Sequence, residues 1–154
     1  MTPDQSKQFV KRLYDELIDG VRLDLLDEIV DPEFVDHTPL PGLSSDREGL
    51  KRRLLLRRDA FPDFRSAILD LVVEGEKVVA MMTSTGTHRG SFLGVRPTGK
   101  RATIMEIHQL RIREGRLLEF WGLPDLFGLF VQLGVVSPPW ERIKDEGGRM
   151  KAEG

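Results

Sequence analysis

Carboxylates and imidazoles are the groups in this chain suited to moving a proton near neutral pH. The three histidines are His37, His88 and His108. Glu106 precedes His108 by two residues within ATIMEIHQLRIRE (102–114), a spacing that puts both side chains on one face of a strand. The neighbours on that face are Ile104 and Leu110, which suits the wall of an apolar pocket. The pair either orients a substrate carbonyl or a catalytic acid, or is a core histidine satisfied by its carboxylate. A second carboxylate, Asp125, ends the stretch EFWGLPD (119–125) immediately before the apolar run LFGLFVQLG. Two readings stand for it: an N-cap for a short helix, or a proton carrier at the mouth of a pocket. Phe120 and Trp121 precede it and alternate across the strand, so one faces each side. Trp121 is either core packing or a stacking wall for a flat ligand. His88, in GTHRG, leaves a strand for a Gly-rich loop, and His37, in VDH, follows a short helix. Each is a pocket polar group or a local turn residue.

Other chemistries are not signalled. The chain has no cysteine, which removes thiol nucleophiles, thiolate metal sites and disulfides together. The histidines form no His-x-His or His-x-x-x-His pair, so spacing suggests no metal. No Walker loop or dinucleotide fingerprint is present. A net charge of −2 gives no electrostatic footprint for nucleic acid or anionic membrane. The basic run KRRLLLRR (51–58) reads as the solvated face of a helix whose stripe is Leu50, Leu54 and Phe61. The opening MTPDQSKQFVKRLYDELI lacks the apolar run of a signal peptide, and nothing downstream approaches a membrane span, so the expectation is a cytoplasmic protein.

The elements that must position these residues follow from period and punctuation. Thr2-Pro3-Asp4-Gln5 is a capping box opening a helix over 3–19, stopped by Gly20. LDLLDEIV (23–30) predicts a second short helix, and 33–37 a short extended piece. Residues 39–45 read as a loop; Ser45-Asp46-Arg47-Glu48 opens a helix to about Ala60. The period then changes: strands over 65–73 and 77–88 joined at Glu74-Gly75-Glu76, a Gly/Pro-rich loop over 89–99, and strands over 102–114 and 116–121 turned by Gly115. A short apolar helix over 125–134 follows. Residues 1–140 are read as a single domain and 141–154 as a loose charged tail. Helices followed by long hairpins predict an α+β fold, a cone-shaped curved antiparallel or mixed sheet wrapped by N-terminal helices.

Several segments, in order, resemble the SnoaL-like polyketide cyclase (ester cyclase) family of the nuclear-transport-factor-2-like superfamily. They are VDH (35–37), AFPDF (60–64), DLVVEGEKVVAMMTSTGTHRGSF (70–92), RPTGKR (96–101), IHQLRIREGRLLEFW (107–121), Asp125 and LFVQLG (129–134). The resemblance implies cofactor-independent acid/base catalysis, an intramolecular aldol cyclisation or related isomerisation of a small ketone or ester, with no metal. By the family motif, Asp125 is the acid/base; the expected site joins to it His108 as catalytic partner and His88, His37, Trp121 and Glu106 as pocket residues, read from their own positions. It further implies a hydrophobic small-molecule substrate and a homodimer or homotetramer. A non-catalytic binding or oligomerisation module on the same fold is the alternative.

Overall fold

The computed structural model describes residues 1–141, so nearly all of the expected tail lies outside the described residues. Helix α1 (Pro3–Arg12) opens with the expected box: Thr2 Oγ1 accepts from Gln5 N at 3.2 Å, and Gln5 Oε1 accepts from Thr2 N at 2.8 Å. The expected single helix over 3–19 changes pitch halfway. From Leu13 to Asp19 it widens into π geometry, which buries Leu13, Tyr14 and Leu17. A 3₁₀ turn (Leu23–Leu25) and α2 (Leu26–Ile29) replace the second predicted helix, and β1 (Val30–Asp36) begins earlier than the expected extended piece. Helix α3 (Arg47–Ala60) is capped by Asp46, one residue later than the Ser45 of the predicted box; its carboxylate accepts from Gly49 N at 3.0 Å. Glycine is required at 49, because a Cβ there would overlap the Ser44 carbonyl.

Strands β2 (Arg65–Glu74), β3 (Lys77–Thr87), β4 (Arg101–Arg113) and β5 (Arg116–Pro124) form the expected hairpins. The β4–β5 turn has Glu114 at φ 51° and Gly115 at φ 76°, the two positive values that a two-residue hairpin loop demands. The sheet order is β1-β5-β4-β3-β2, antiparallel except for β1, which runs parallel to β5. This mixed sheet with helices on one face is the predicted α+β architecture. β5 continues through Pro124, beyond the predicted end at 121, and helix α4 (Leu126–Gln132) follows.

Strand alternation sorts the sheet into two faces. Val78, Ala80, Met82 and Ser84 of β3, with Glu106, His108, Leu110 and Ile112 of β4, turn toward the helices and are buried. There they meet Val10, Leu13, Leu17 and Leu54, the apolar face of α1, the π turn and α3. Among the described residues no helix is long and apolar enough to cross a membrane.

Candidate active site

A cavity lies between the inner face of the sheet and helix α3. It has two compartments that share Arg53, Arg57, Phe64, Ser84 and Glu106 in their walls. The outer compartment, about 620 Å³ including its open mouth, is lined by apolar groups such as Phe61, Phe92, Ile104 and Leu129. The inner one is closed by Tyr14, Leu54, Met82, His108 and Phe120.

β4 alternation delivers Glu106 and His108 together, as their spacing predicts: Glu106 Oε1 lies 3.3 Å from His108 Nε2. The other imidazole nitrogen, Nδ1, is 2.5 Å from the Tyr14 hydroxyl, supplied by the π turn. Burial, with the nearby charge of Glu106, pushes the Tyr14 phenol above its ordinary value, so it stays protonated and donates to Nδ1. That assigns the imidazole proton to Nε2, which donates to Glu106. The second carboxylate oxygen accepts from the Ser84 hydroxyl. Burial alone would raise Glu106. The hydrogen bond from His108 and its charge when the imidazole is protonated, the hydrogen bond from Ser84 and the positive charge of Arg57 outweigh it and hold the carboxyl at about 2. The result is an ionised carboxylate inside a largely apolar enclosure, held within a hydrogen-bonded chain Tyr14–His108–Glu106–Ser84.

Gly122 makes room for this arrangement. It pairs directly across from His108, and a Cβ there would come within 2.8 Å of the Phe120 ring and 3.2 Å of His108 Cδ2. The Phe120 ring in turn meets the imidazole edge-on at 4.9 Å between centroids.

The other residues singled out in the sequence lie elsewhere. Asp125 caps α4: its side chain accepts from Gly128 N at 2.8 Å, is exposed, and is not among the residues lining either compartment, although Pro124 and Leu126 on either side line the outer one. Cap geometry holds the carboxylate against the first turn of its own helix. Asp125→Asn, which preserves a cap, is accordingly expected to leave stability within a few tenths of a kcal/mol and turnover unchanged, whereas Asp125→Ala loses ~1 kcal/mol in denaturant melts. A dead Asp125→Asn enzyme would return the carboxylate to the chemistry. His37 and Trp121 stack on each other, ring centroids 4.2 Å apart and planes within 5°, and His37 Nε2 pairs with Glu119 Oε1 at 3.1 Å. Neither lines the cavity, because Phe120 takes the inward position on β5 and parity sends Trp121 outward. His88 is fully buried at the end of β3, stacked on Phe61 at 5.3 Å; its Nδ1 accepts from Thr98 N at 3.2 Å, tying the 96–101 turn to the strand.

The structure adds polar residues of the cavity to that set, among them Tyr14, Ser84, Arg53 and Arg57. Each carried a signal. Tyr14 falls four residues after Val10 and three before Leu17, on the apolar stripe of the first helix. Ser84 shares the parity of Ala80 and Met82. Arg53 and Arg57 follow Leu50 and Leu54 by three, which puts them beside the buried stripe rather than opposite it. The predicted solvated face is therefore only partly so: Arg52 and Arg58 are exposed, while Arg53 and Arg57 turn into the cavity. Their long stems cross apolar wall and their heads find partners, Asp36 at 3.2 Å for Arg53 and the Ile18 carbonyl at 3.2 Å for Arg57.

Comparison with known proteins agrees with this architecture. TsrD from Streptomyces laurentii superposes with a TM-score of 0.79 at 28% identity, covering 88% of this chain and 99% of that one. IdmH from Streptomyces antibioticus gives a TM-score of 0.74 at 32% identity over 85% of this chain and 99% of its own. By sequence, the nogalonic acid methyl ester cyclase of Streptomyces nogalater is 28% identical over 131 residues, 83% of this chain and 93% of the relative. The family model for SnoaL-like polyketide cyclases matches residues 8–133, from the middle of α1 to the end of α4, and so spans every element that builds the cavity. With the fold, the sequence and the cavity-bearing segment in agreement, the chain belongs to the SnoaL-like polyketide cyclase family.

Proposed function

We propose that the protein closes a ring in a small, flat ketone or ester by an intramolecular aldol step, with the Glu106–His108 pair as the proton carrier. The observation that carries this reading is the ionised Glu106 carboxylate, hydrogen-bonded to His108 at 3.3 Å, in the wall common to both compartments. A carbon flanked by two carbonyls gives up a proton to a positioned carboxylate, because the carbanion delocalises onto oxygen. Glu106 takes that proton, and the electron pair of the broken C–H bond becomes the enolate. The enolate carbon attacks the second carbonyl, a C–C bond forms, and the resulting alkoxide takes the proton back from Glu106. The sum is an isomerisation, with no proton or electron left over. His108, held by Tyr14, keeps Glu106 oriented through its Nε2–H. A ligand that fills the compartments expels water and strengthens the influence of burial, which moves the carboxyl upward toward a more effective base. Glu106→Gln tests the assignment, with nogalonic acid methyl ester, the compound named for the Streptomyces nogalater relative, as the first substrate to try.

The homo-oligomer implied by the family resemblance has a matching surface. On the outer sheet face, Met81 pairs across to Ile107 and Ile107 to Leu123, giving an exposed apolar row over three strands beside exposed Met105. Monomeric proteins seldom leave such a patch open, and a second copy of the chain would cover it. Light scattering should report a dimer or tetramer, and Ile107→Lys should shift it to monomer; a wild-type monomer at micromolar concentration would refute the assembly.

A further inference from the structure

Arg57 is a cation of the cavity wall that has no carboxylate in contact among the described residues, and this sets it apart from its neighbours. Arg53, one turn earlier on α3, is matched by Asp36 at 3.2 Å. Glu106 is matched by His108 and Ser84. Arg57 instead donates to the Ile18 carbonyl at 3.2 Å and lies over the Phe64 ring, 3.9 Å from its centroid. Those contacts fix the guanidinium plane and use one of its five N–H donors. Burial brings the group down to about 10, which leaves it charged at neutral pH. A half-buried cation whose opposite charges, Glu106 and Asp19, act on it only from beyond contact distance is costly to keep, and part of that cost is recovered when an anion arrives in contact. The same side chain lines both compartments, next to the carboxylate proposed to create negative charge on oxygen.

We propose that Arg57 is the oxyanion site of this cavity, binding the conjugated oxygen anion, enolate or phenolate, of a flat ring-bearing ligand. The proposal deepens the acid/base reading and rests on it for the origin of the enolate. When Glu106 removes the proton, the electron pair spreads onto the carbonyl oxygen, and a fixed guanidinium there favours the charged state over the neutral ligand, which is the difference that accelerates a reaction. The apolar outer compartment, with Phe61 and Phe92 in its wall, accepts the rings. The charged and titratable groups around the site are Arg53, Asp36, Glu106, His108 and Tyr14, together with Asp19, which is engaged by Ser66.

The test requires no turnover. 4-Nitrophenol changes its visible spectrum on ionisation, so its apparent pKa can be read in the bound state. Wild-type protein should bind the phenolate at least ~10-fold more tightly than the phenol, lowering the dye's apparent pKa by about one unit. Arg57→Gln should abolish the shift, and Arg57→Lys, which keeps a charge without the planar fork, should keep only part of it. Circular dichroism checks that each variant is folded; if Arg57→Gln is not, the lysine variant decides. No binding by the wild type, an unshifted bound dye, or a full shift in both variants would overturn the proposal. Glu106→Gln separates the two claims. If it keeps the dye shift yet turns substrate over normally, the acid/base reading fails and the oxyanion site stands. A shift that survives in both Arg57 variants while Glu106→Gln is inactive gives the reverse.

Discussion

Glu106→Gln should lower kcat by roughly 10²–10⁴-fold, the usual contribution of a positioned general base, while the protein remains folded. The change is close to isosteric. A glutamine oxygen still accepts from His108 Nε2, and its amide can donate to Ser84, so the polar chain stays satisfied. What is lost is the ionised form that accepts the proton. KM should change little, because the cavity wall is otherwise intact, and an unchanged kcat would end the proposed mechanism. A pH dependence accompanies it. The Glu106 carboxyl lies below its ordinary 4.5, at about 2, so an acid limb above pH 4 in the kcat/KM profile, which reports the free enzyme, belongs to another group. The sign for stability follows from the same depression. The contribution of Glu106 is fully present above its unfolded value and is lost as pH falls from there through its folded value of about 2. The stability gap between wild type and Glu106→Gln should therefore narrow between about pH 5 and pH 2 in acid-denaturation experiments.

Asp36→Asn is expected to produce the largest loss of stability among polar substitutions at the site. Asp36 is 3% exposed and sits at the end of β1, where it accepts from Thr38 N at 2.9 Å and pairs with Arg53 at 3.2 Å. Arg53 itself is 12% exposed, with its guanidinium 5.5 Å from the Phe120 centroid. Asparagine preserves an acceptor for Thr38 but leaves the arginine charge unanswered in a low-dielectric wall. Removing one member of a buried pair costs about 3–5 kcal/mol. For a chain of this size that lowers Tm by on the order of 10 °C. The double variant Asp36→Asn/Arg53→Met should recover much of the loss, because it removes the stranded charge as well. A single variant that melts within ~1 kcal/mol of wild type would show that water, rather than Asp36, solvates Arg53. Since Arg53 borders both compartments, the pair also holds the floor of the cavity in place.

The candidate site was half legible beforehand, for reasons that differ by residue. Glu106 and His108 were readable because a two-residue period admits one arrangement on a strand: both on the same face. Asp125 obeys the same local grammar whether it caps a helix or serves a pocket; the cap, with the carboxylate on Gly128 N, is what the structure adds. Phe120 and Trp121 had to face opposite sides, but alternation is silent on which side is the interior. β1, docked parallel on β5, and α3 packed against the inner face settle that, turning Phe120 in and leaving Trp121 to His37. Arg53 and Arg57 were hidden by their charge, since basic residues on a helix are ordinarily solvated.

By itself, then, the order of residues determined the local elements: the capping box at Thr2, the two hairpins turned at Gly75 and Gly115, the face shared by Glu106 and His108, and the run of family-like segments. These are short-range consequences of hydrogen-bonding caps, positive-φ turns and side-chain period. The tertiary structure alone decided that Tyr14 reaches His108 from 94 residues away, that Ser84 meets Glu106 across a strand pair, and that two arginines face inward. Such contacts depend on how the helices dock onto the curved sheet. That docking is governed by packing summed over the whole core, which no local pattern encodes.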